Sequence, residues 1–368
     1  MKCDGEIIMA RVWNFSPGPA MLPEKVLSRV QADLLDWQGK GLSVMEMSHR
    51  SEEFLGIATK AERDLRALLG IPEQYKILFL QGGGLGENAF VPLNLLGNRT
   101  TADYVNTGYW STKSIKEAGK YGIAHVAASG ESSGFTHVPA QSEWQLSEDP
   151  AYVHICANET ISGVEYGFTP DTGNVPLVAD MSSNILSRPF DVTRYGLIYA
   201  GAQKNIGPSG VVLIIVREDL LGKARHDCPT VFDYTVQAEN GWMYNTPPTF
   251  AIYVAGLVFE RLLALGGIAE AEKRNIAKAQ KVYAEVDRTG FYQNRIRVAD
   301  RSRMNVTFYL PTEKLDDLFA AEAKEHGLHN LKGHKTAGGI RASIYNAMPM
   351  AGVDALVAFM RDFEKRRG

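Results

Sequence analysis

The sequence predicts an α/β fold, with a large domain on a mainly parallel sheet flanked by helices and a smaller α+β domain packed against it. Three observations predict it. Between residues 76 and 217 strand-like and helix-like segments alternate, as in a sheet whose crossovers are helices. Several strand candidates, such as GVVLIIV at 210–216 and GLIYA at 196–200, are continuous apolar runs, as strands buried on both faces require. Beyond residue 267 the character changes to helix 268–287, strand 303–309, helix 312–326, strand 339–345 and helix 353–366. At 368 residues the chain is long enough for two domains. The large one is placed at 16–266, the small one at 1–15 with 267–368.

In order, residues 23–37 put Val26, Leu27, Val30, Leu34 and Trp37 on one helical stripe, with Pro23 tolerated in the first turn. Residues 51–69 repeat the pattern, with Ser51 as N-cap and Gly70 as the stop. Strand candidates follow at 76–80, 102–106, 151–156, 175–180, 196–201 and 210–217. A long apolar helix at 248–265 closes on Gly266-Gly267. No internal repeat or low-complexity linker separates the domains, so they are expected to share a substantial interface.

Composition narrows the function. Hydrophobic content of 45%, charged content of 22% and a net charge of −3 give no bias toward nucleic acid or an anionic membrane. The C-terminal EKRRG reads as a helix end favoured by the macrodipole. Three cysteines, Cys3, Cys156 and Cys228, lack any C-x-x-C, which argues against a disulfide framework or zinc site and fits a reducing cytoplasm. No metal is expected. The start, MKCDGEIIMARVW, has no uninterrupted apolar core of a secretory signal; Met9 is an alternative start, with residues 1–8 as a loosely ordered leader. No apolar run approaches the roughly 20 residues that span a bilayer.

The chemistry begins with KILFLQGGGLGENAF, 76–90, where an apolar strand stops at three glycines and a helix follows. Glycines let backbone N–H groups approach a phosphate, and a helix N-terminus favours an anion. Gly84 to Ala89 also satisfies G-x-G-x-x-G/A, with Asp103 nineteen residues beyond Gly84, so a dinucleotide is one reading. The loop comes after about eighty residues of other structure and no second mononucleotide-binding half follows it, which disfavours that reading. In YAGAQKNIGPSG, 199–210, Lys204 follows a buried strand. It is either a surface lysine or one desolvated in the crevice at a strand end, where its neutral amine could form a Schiff base. In VPLVADMSSN, Asp180 ends another strand, as a helix cap, a metal ligand or a partner for a ring nitrogen. Together, Lys204 and Asp180 match the needs of pyridoxal phosphate. Trp110 in NTGYWS is a core tryptophan or a ring-stacking one.

On these motifs the chain resembles the phosphoserine aminotransferase family of fold-type I pyridoxal-phosphate enzymes. The resemblance runs from about Val12 to Arg367 through NFSPGPAMLP, SVMEMSHRSEEF, ADYVNTGYW, GAQKNIGPSG, YNTPPTF, RSRMNV and GGIRASIYNAMP. It implies a seven-stranded sheet in the large domain, Lys204 as the Schiff-base lysine and Asp180 as the pyridine-nitrogen partner. Trp110 would stack on the ring and Thr160, in NETISG, would bond near its phenolic oxygen. The cofactor phosphate would be held by backbone at Gly84 and Leu85, by Ser182 and Gln203, and by Asn245 and Thr246 of a second subunit. Arg341 would grip the substrate α-carboxylate through its planar fork. His49, Arg50 and His334 would surround the substrate phosphate. The implied protein is a cytoplasmic homodimer with active sites at its interface. It would pass an amino group between glutamate and 3-phosphohydroxypyruvate for serine synthesis. A four-carbon phosphorylated 2-oxo acid of pyridoxal phosphate synthesis is a further acceptor.

The chain also departs from the family pattern. Relatives typically carry Gln-Phe at the positions of Glu87-Asn88, and some have arginine at Leu85. Relatives usually read Gly-His-Arg where this chain has Gly333-His334-Lys335. Glu87 brings a carboxylate toward the expected phosphate and is therefore expected to face solvent or a nearby cation. These positions motivate a rival of the same fold with a shifted, unphosphorylated substrate. A cofactor-binding interaction module without turnover and a dinucleotide-dependent oxidoreductase are further alternatives.

Overall fold

Burial on both faces, rather than strand direction, turns out to be what the apolar runs encode. In the computed structural model, which describes residues 11–368, each of the six strand-like runs between 76 and 217 joins one seven-stranded sheet. The elements begin with β1 (Trp13–Asn14), α1 (Glu24–Asp33) and α2 (Glu52–Leu69). Ser51 Oγ accepts the Phe54 N–H at 3.3 Å and Gly70 closes α2 at φ 63°, so both helix signals act as the sequence predicts. Helix α1 ends earlier than its stripe suggests. Trp37 sits instead in a 3₁₀ turn, its N–H bonded to the Leu42 carbonyl at 2.9 Å.

Next come β2 (Tyr75–Leu80), α3 (Gly83–Leu95), β3 (Thr101–Asn106), α4 (Tyr109–Ala118) and β4 (Ile123–Ser129). The sheet is completed by β5 (Val153–Cys156), then after a hairpin of β6 (Asn158–Glu159) and β7 (Val164–Glu165) by β8 (Leu177–Asp180), β9 (Leu197–Gly201) and β10 (Val212–Arg217). Its order is β2-β10-β9-β8-β5-β3-β4. Strand β4 is absent from the sequence-based candidates because it is an edge strand, paired only with β3 and mostly solvent-facing, so it carries no continuous apolar run. Strand β10, the most apolar run, is antiparallel to both neighbours. The connection 202–211 is too short for the crossover of a dozen or more residues that parallel pairing needs.

The chain continues through α5 (Tyr234–Glu239), α6 (Thr249–Ala264), α7 (Gly267–Val286), β11 (Asn305–Phe308), α8 (Glu313–Glu325), β12 (Leu328–His329), β13 (Ile340–Ser343) and α9 (Met350–Arg367). Two hydrophobic cores form. One gathers the sheet with α2 and α6; the other joins Phe15 and Met21 to the later helices and the β11–β13 pair. Helix α7 serves both, placing Ile268 and Ala271 in the first and Ala279, Val282 and Val286 in the second. Among the described residues no single helix is long and apolar enough to cross a membrane. Helices α6 and α7 combine sufficient length and apolarity only together, across an 85° bend. The proposed leader, Met9 and Cys3 lie outside the described residues.

Candidate active site

Six of the seven sheet strands run the same way, so the ends of β2, β3, β5, β8 and β9 open on one edge, where α/β sheets bind ligands. Asp180 is the last residue of β8, and Lys204 lies just beyond β9. Lys204 Nζ donates to Thr160 Oγ1 at 2.7 Å and lies 5.8 Å from the centre of the Trp110 ring. Asp180 Oδ1 accepts the Ser182 N–H at 2.8 Å. Burial pulls the Lys204 pKa down and pushes the Asp180 pKa up. Each residue's charge opposes the other's shift, and the Ser182 bonds further favour the carboxylate. The result is an amine more readily neutral than a surface lysine, beside a carboxylate that a cation would keep ionised.

Thr160 and its neighbour Glu159 tie the site together. The Thr160 carbonyl accepts Arg341 Nη1 at 3.4 Å. Glu159 is fully buried and accepts the N–H groups of Trp110 and Ser111, each at 2.9 Å, and the Ser111 hydroxyl at 2.8 Å. It thereby caps α4 and fixes the Trp110 backbone. A Cβ at Gly108 would fall 2.7 Å from the Glu159 carboxyl carbon, so only glycine lets this carboxylate reach the helix start. Within NETISG nothing local gives Glu159 a role. A lone carboxylate has no periodic signal, and its partners lie 48 and 49 residues away.

At the start of α3 the amides of Gly83, Gly84 and Leu85 precede the first helical bond, from Gly86 N–H to the Gly82 carbonyl. A Cβ at Gly84 would come within 3.1 Å of Ser182 Oγ, which itself accepts the Gly201 N–H at 3.0 Å. A Cβ at Gly201 would meet Gln203 Oε1 at 2.7 Å. Glycine backbone, Ser182 and Gln203 thus converge in the manner of an anion cradle.

Arg341, on β13, is only 6% exposed, yet no carboxylate among the described residues pairs with it and its Nε has no hydrogen-bond partner. Burial lowers its pKa accordingly. The His334 ring lies 5.4 Å from Tyr109, whose ring meets Trp110 edge-on at 5.2 Å. Burial and the charges of Arg341 and Lys335 hold His334 below its ordinary pKa. The structure therefore gathers Lys204, Asp180, Thr160, Trp110, Ser182, Gln203, Gly84, His334 and Arg341. It does not bring His49, Arg50, Asn245 or Thr246 into hydrogen bonds with them. His49 and Arg50 bond to each other at 3.3 Å, while the exposed Asn245 bonds Gln81 and Gln237 at 3.3 and 3.1 Å. Leu85 is 60% exposed and Lys335 is exposed.

Glu87 corrects the sequence-based expectation. It faces neither solvent nor a cation. It is fully buried, Tyr234 Oη donates to its Oε2, and Oε1 has no partner among the described residues. Burial, reinforced by the charge of Asp180, pushes its pKa up to about 8, so at neutral pH it is mostly an uncharged acid and adds little repulsion near the cradle. Because the folded-state value lies above the ordinary 4.5, the stability it contributes is fully present below 4.5 and is lost as pH rises to about 8. The loss is roughly 1.4 kcal/mol for each pH unit in that window. Glu87→Gln removes the titration. Its melting temperature relative to the unsubstituted protein, both without cofactor, is expected to climb steadily between pH 5.5 and 8. A difference independent of pH would show that Glu87 ionises as an ordinary carboxylate.

Asp103, the acidic residue of the dinucleotide reading, belongs to its own strand's surroundings. Its Oδ1 contacts both His125 Nδ1, at 2.9 Å, and Ser147 Oγ, at 2.6 Å. Ser147 meets that same His125 nitrogen at 3.1 Å, so the trio pins a loop over β4 and lacks the relay through opposite ring nitrogens of a hydrolytic triad.

Comparison with known proteins agrees with this geometry. Residues 12–356 match the class-V aminotransferase family. Fold and site thus define a class, the fold-type I aminotransferases that depend on pyridoxal phosphate. The phosphoserine aminotransferase of Janthinobacterium sp. (strain Marseille) is 57% identical over 98% of this chain and 100% of its own length. A solved phosphoserine aminotransferase from Bacillus circulans subsp. alkalophilus superposes with a TM-score of 0.95 at 46% identity, covering 97% of this chain and 99% of that one. A pyridoxal phosphate-bound phosphoserine aminotransferase from Trichomonas vaginalis gives 0.91 at 40% identity, covering 95% and 100%. The chain belongs to the phosphoserine aminotransferase family. Its residues fit the cofactor: a glycine-lined cradle beside Ser182, a desolvated amine and a half-buried carboxylate stand at the ends of adjacent strands.

Proposed function

We propose that this chain exchanges an amino group between glutamate and 3-phosphohydroxypyruvate, giving O-phosphoserine and 2-oxoglutarate in serine biosynthesis. The observation that carries the reading is Arg341, a buried guanidinium with no carboxylate partner among the described residues, joined through Thr160 to Lys204. Such a group is costly unless a ligand carboxylate neutralises it, and its fork suits that ligand.

Pyridoxal phosphate, when bound, supplies a carbonyl that condenses with amines and a protonated ring that withdraws electrons. Lys204 would hold it covalently, with Asp180 accepting a hydrogen bond from the ring nitrogen and so keeping it protonated, Trp110 against the ring face and Thr160 near the phenolic oxygen. The amides of Gly84 and Leu85, with Ser182 and Gln203, would hold its phosphate, completed by Asn245 and Thr246 of a second subunit. Arg341 would orient the amino acid by its α-carboxylate, and Lys204 Nζ, once free and neutral, would be the base that moves the proton between the substrate Cα and the cofactor's C4′. His334, with His49 and Arg50, would bind the substrate phosphate. We assign residues 16–266 to the cofactor-binding domain and 1–15 with 267–368 to the small one.

The working unit is a homodimer in the cytoplasm, where unpaired thiols such as Cys156 and Cys228 persist. Supporting the dimer, the segments holding His49, Arg50 and Asn245 carry exposed apolar side chains, with Met45 at 58% and Tyr244 at 48%. The reading extends to the four-carbon phosphorylated acceptor of pyridoxal phosphate biosynthesis.

The test is the half-reaction of the cofactor-loaded protein, followed by absorbance with O-phosphoserine, serine, glutamate and the four-carbon phosphorylated amino acid. Phosphoserine is expected to react at least ~100-fold faster than serine, as a few charge-assisted hydrogen bonds allow. Glutamate turnover with phosphoserine no better than serine would establish the unphosphorylated substrate that Leu85 and Lys335 suggest. Sedimentation as a monomer with full activity would remove the shared site.

A further inference from the structure

Around the site runs a polar seam that touches none of the proposed ligands. Asn205, next to Lys204 and 5% exposed, donates through Nδ2 to the Ile185 carbonyl at 3.0 Å, and its Oδ1 accepts the Asn346 N–H at 3.0 Å. Asn346 follows β13, the strand of Arg341, and its Nδ2 donates to the Leu186 carbonyl at 2.8 Å. Leu186 is a fully buried non-glycine residue at φ 62°, a strained conformation that surrounding contacts must hold. Asn275 on α7, 1% exposed, closes the seam by donating to Asn346 Oδ1 at 2.8 Å and to the Ser187 carbonyl at 3.0 Å. One turn further on, Lys278 Nζ donates to the carbonyls of Ile344, Tyr345 and Met348 at 2.9, 2.6 and 3.0 Å, fixing the backbone on both sides of Asn346.

We propose that Asn346 is a positioning residue for transamination. With Asn205 and Asn275 it latches the strand carrying Arg341 to the loop carrying Lys204, setting the span across which a substrate's α-carboxylate and Cα must both be served. The inference rests on the proposed roles of Lys204 and Arg341. Hydrophobic contact holds the two cores together at many registers, whereas asparagines bonded at both ends, two of them buried, accept one, because any shift leaves amide groups unpaired.

The test uses the cofactor-loaded enzyme and succinate, an unreactive dicarboxylate, with binding followed by calorimetry. Asn346→Ala is expected to weaken succinate ~10-fold and to leave the substitution without further effect in an Arg341→Ala background, the non-additivity of residues that act through one another. The absorbance-monitored pKa of the lysine–cofactor linkage is expected to move as well, a signature that general destabilisation would not give. Asn275→Ala severs the same latch from α7 and serves as the second variant. Equal succinate affinity in Asn346→Ala, or the same fold-change in both backgrounds, overturns the inference. If Arg341→Ala itself leaves succinate binding unchanged, the assignment of Arg341 falls instead. In the unsubstituted holoenzyme, amide exchange over 341–346 is expected to be as slow as in β9. Rapid exchange there would refute the latch without any variant.

Discussion

Lys204→Ala is expected to lower the rate of amino transfer from glutamate by ~10²–10⁴-fold, the usual contribution of a positioned general base. Among the described residues the side chain makes one hydrogen bond, to Thr160 Oγ1, so its removal should leave the fold intact. The sign of the stability change supplies a control. Burial lowers the Lys204 pKa below the ordinary 10.5. The unfolded chain then holds the proton more tightly, so the unsubstituted apoprotein gains stability relative to Lys204→Ala as pH rises toward 10.5. Single-turnover absorbance with glutamate measures the rate, and added methylamine should restore part of it. A rate within tenfold of the unsubstituted enzyme would dismiss Lys204 as the base.

Arg341→Ala should act in opposite directions on function and stability. Truncating one partner of a buried charged pair costs about 2–5 kcal/mol, which converts to a loss of roughly 30- to 5,000-fold in kcat/KM for glutamate. In the cofactor-free protein Arg341 has no carboxylate partner among the described residues, so the same substitution removes a desolvated charge and should not lower the melting temperature. Arg341→Lys keeps the charge but loses the fork, and should recover only part of the loss. If kcat/KM and melting temperature fall together, Arg341 is a structural cation and the carboxylate is bound elsewhere.

The boundaries of legibility follow from how far each signal reaches along the chain. Helix α2 was readable because its cap, its stop and its apolar stripe all lie within twenty residues. Lys204 and Asp180 were readable as a pair because one follows and the other ends a strand whose burial its own sequence declares. Edge strand β4 was not, since a strand with one buried residue of seven carries no continuous apolar run. The direction of β10 was hidden for the opposite reason: a strand buried on both faces looks the same in either direction.

Sequence alone determined the α/β class, the chemical identity of the site residues and, through the resemblance, the family. These depend on residue type and on periodicities of two and 3.6 that neighbouring positions carry. Tertiary structure alone decided that Glu87 is buried against Tyr234, 147 residues away, and is held mostly uncharged. It alone decided that Glu159 caps α4, and that Asn205, Asn346 and Asn275 meet in one seam. The physical reason is that a carboxyl or an amide is inexpensive in water and costly inside. Its state is set by partners brought together only when the chain folds, and no local pattern encodes them.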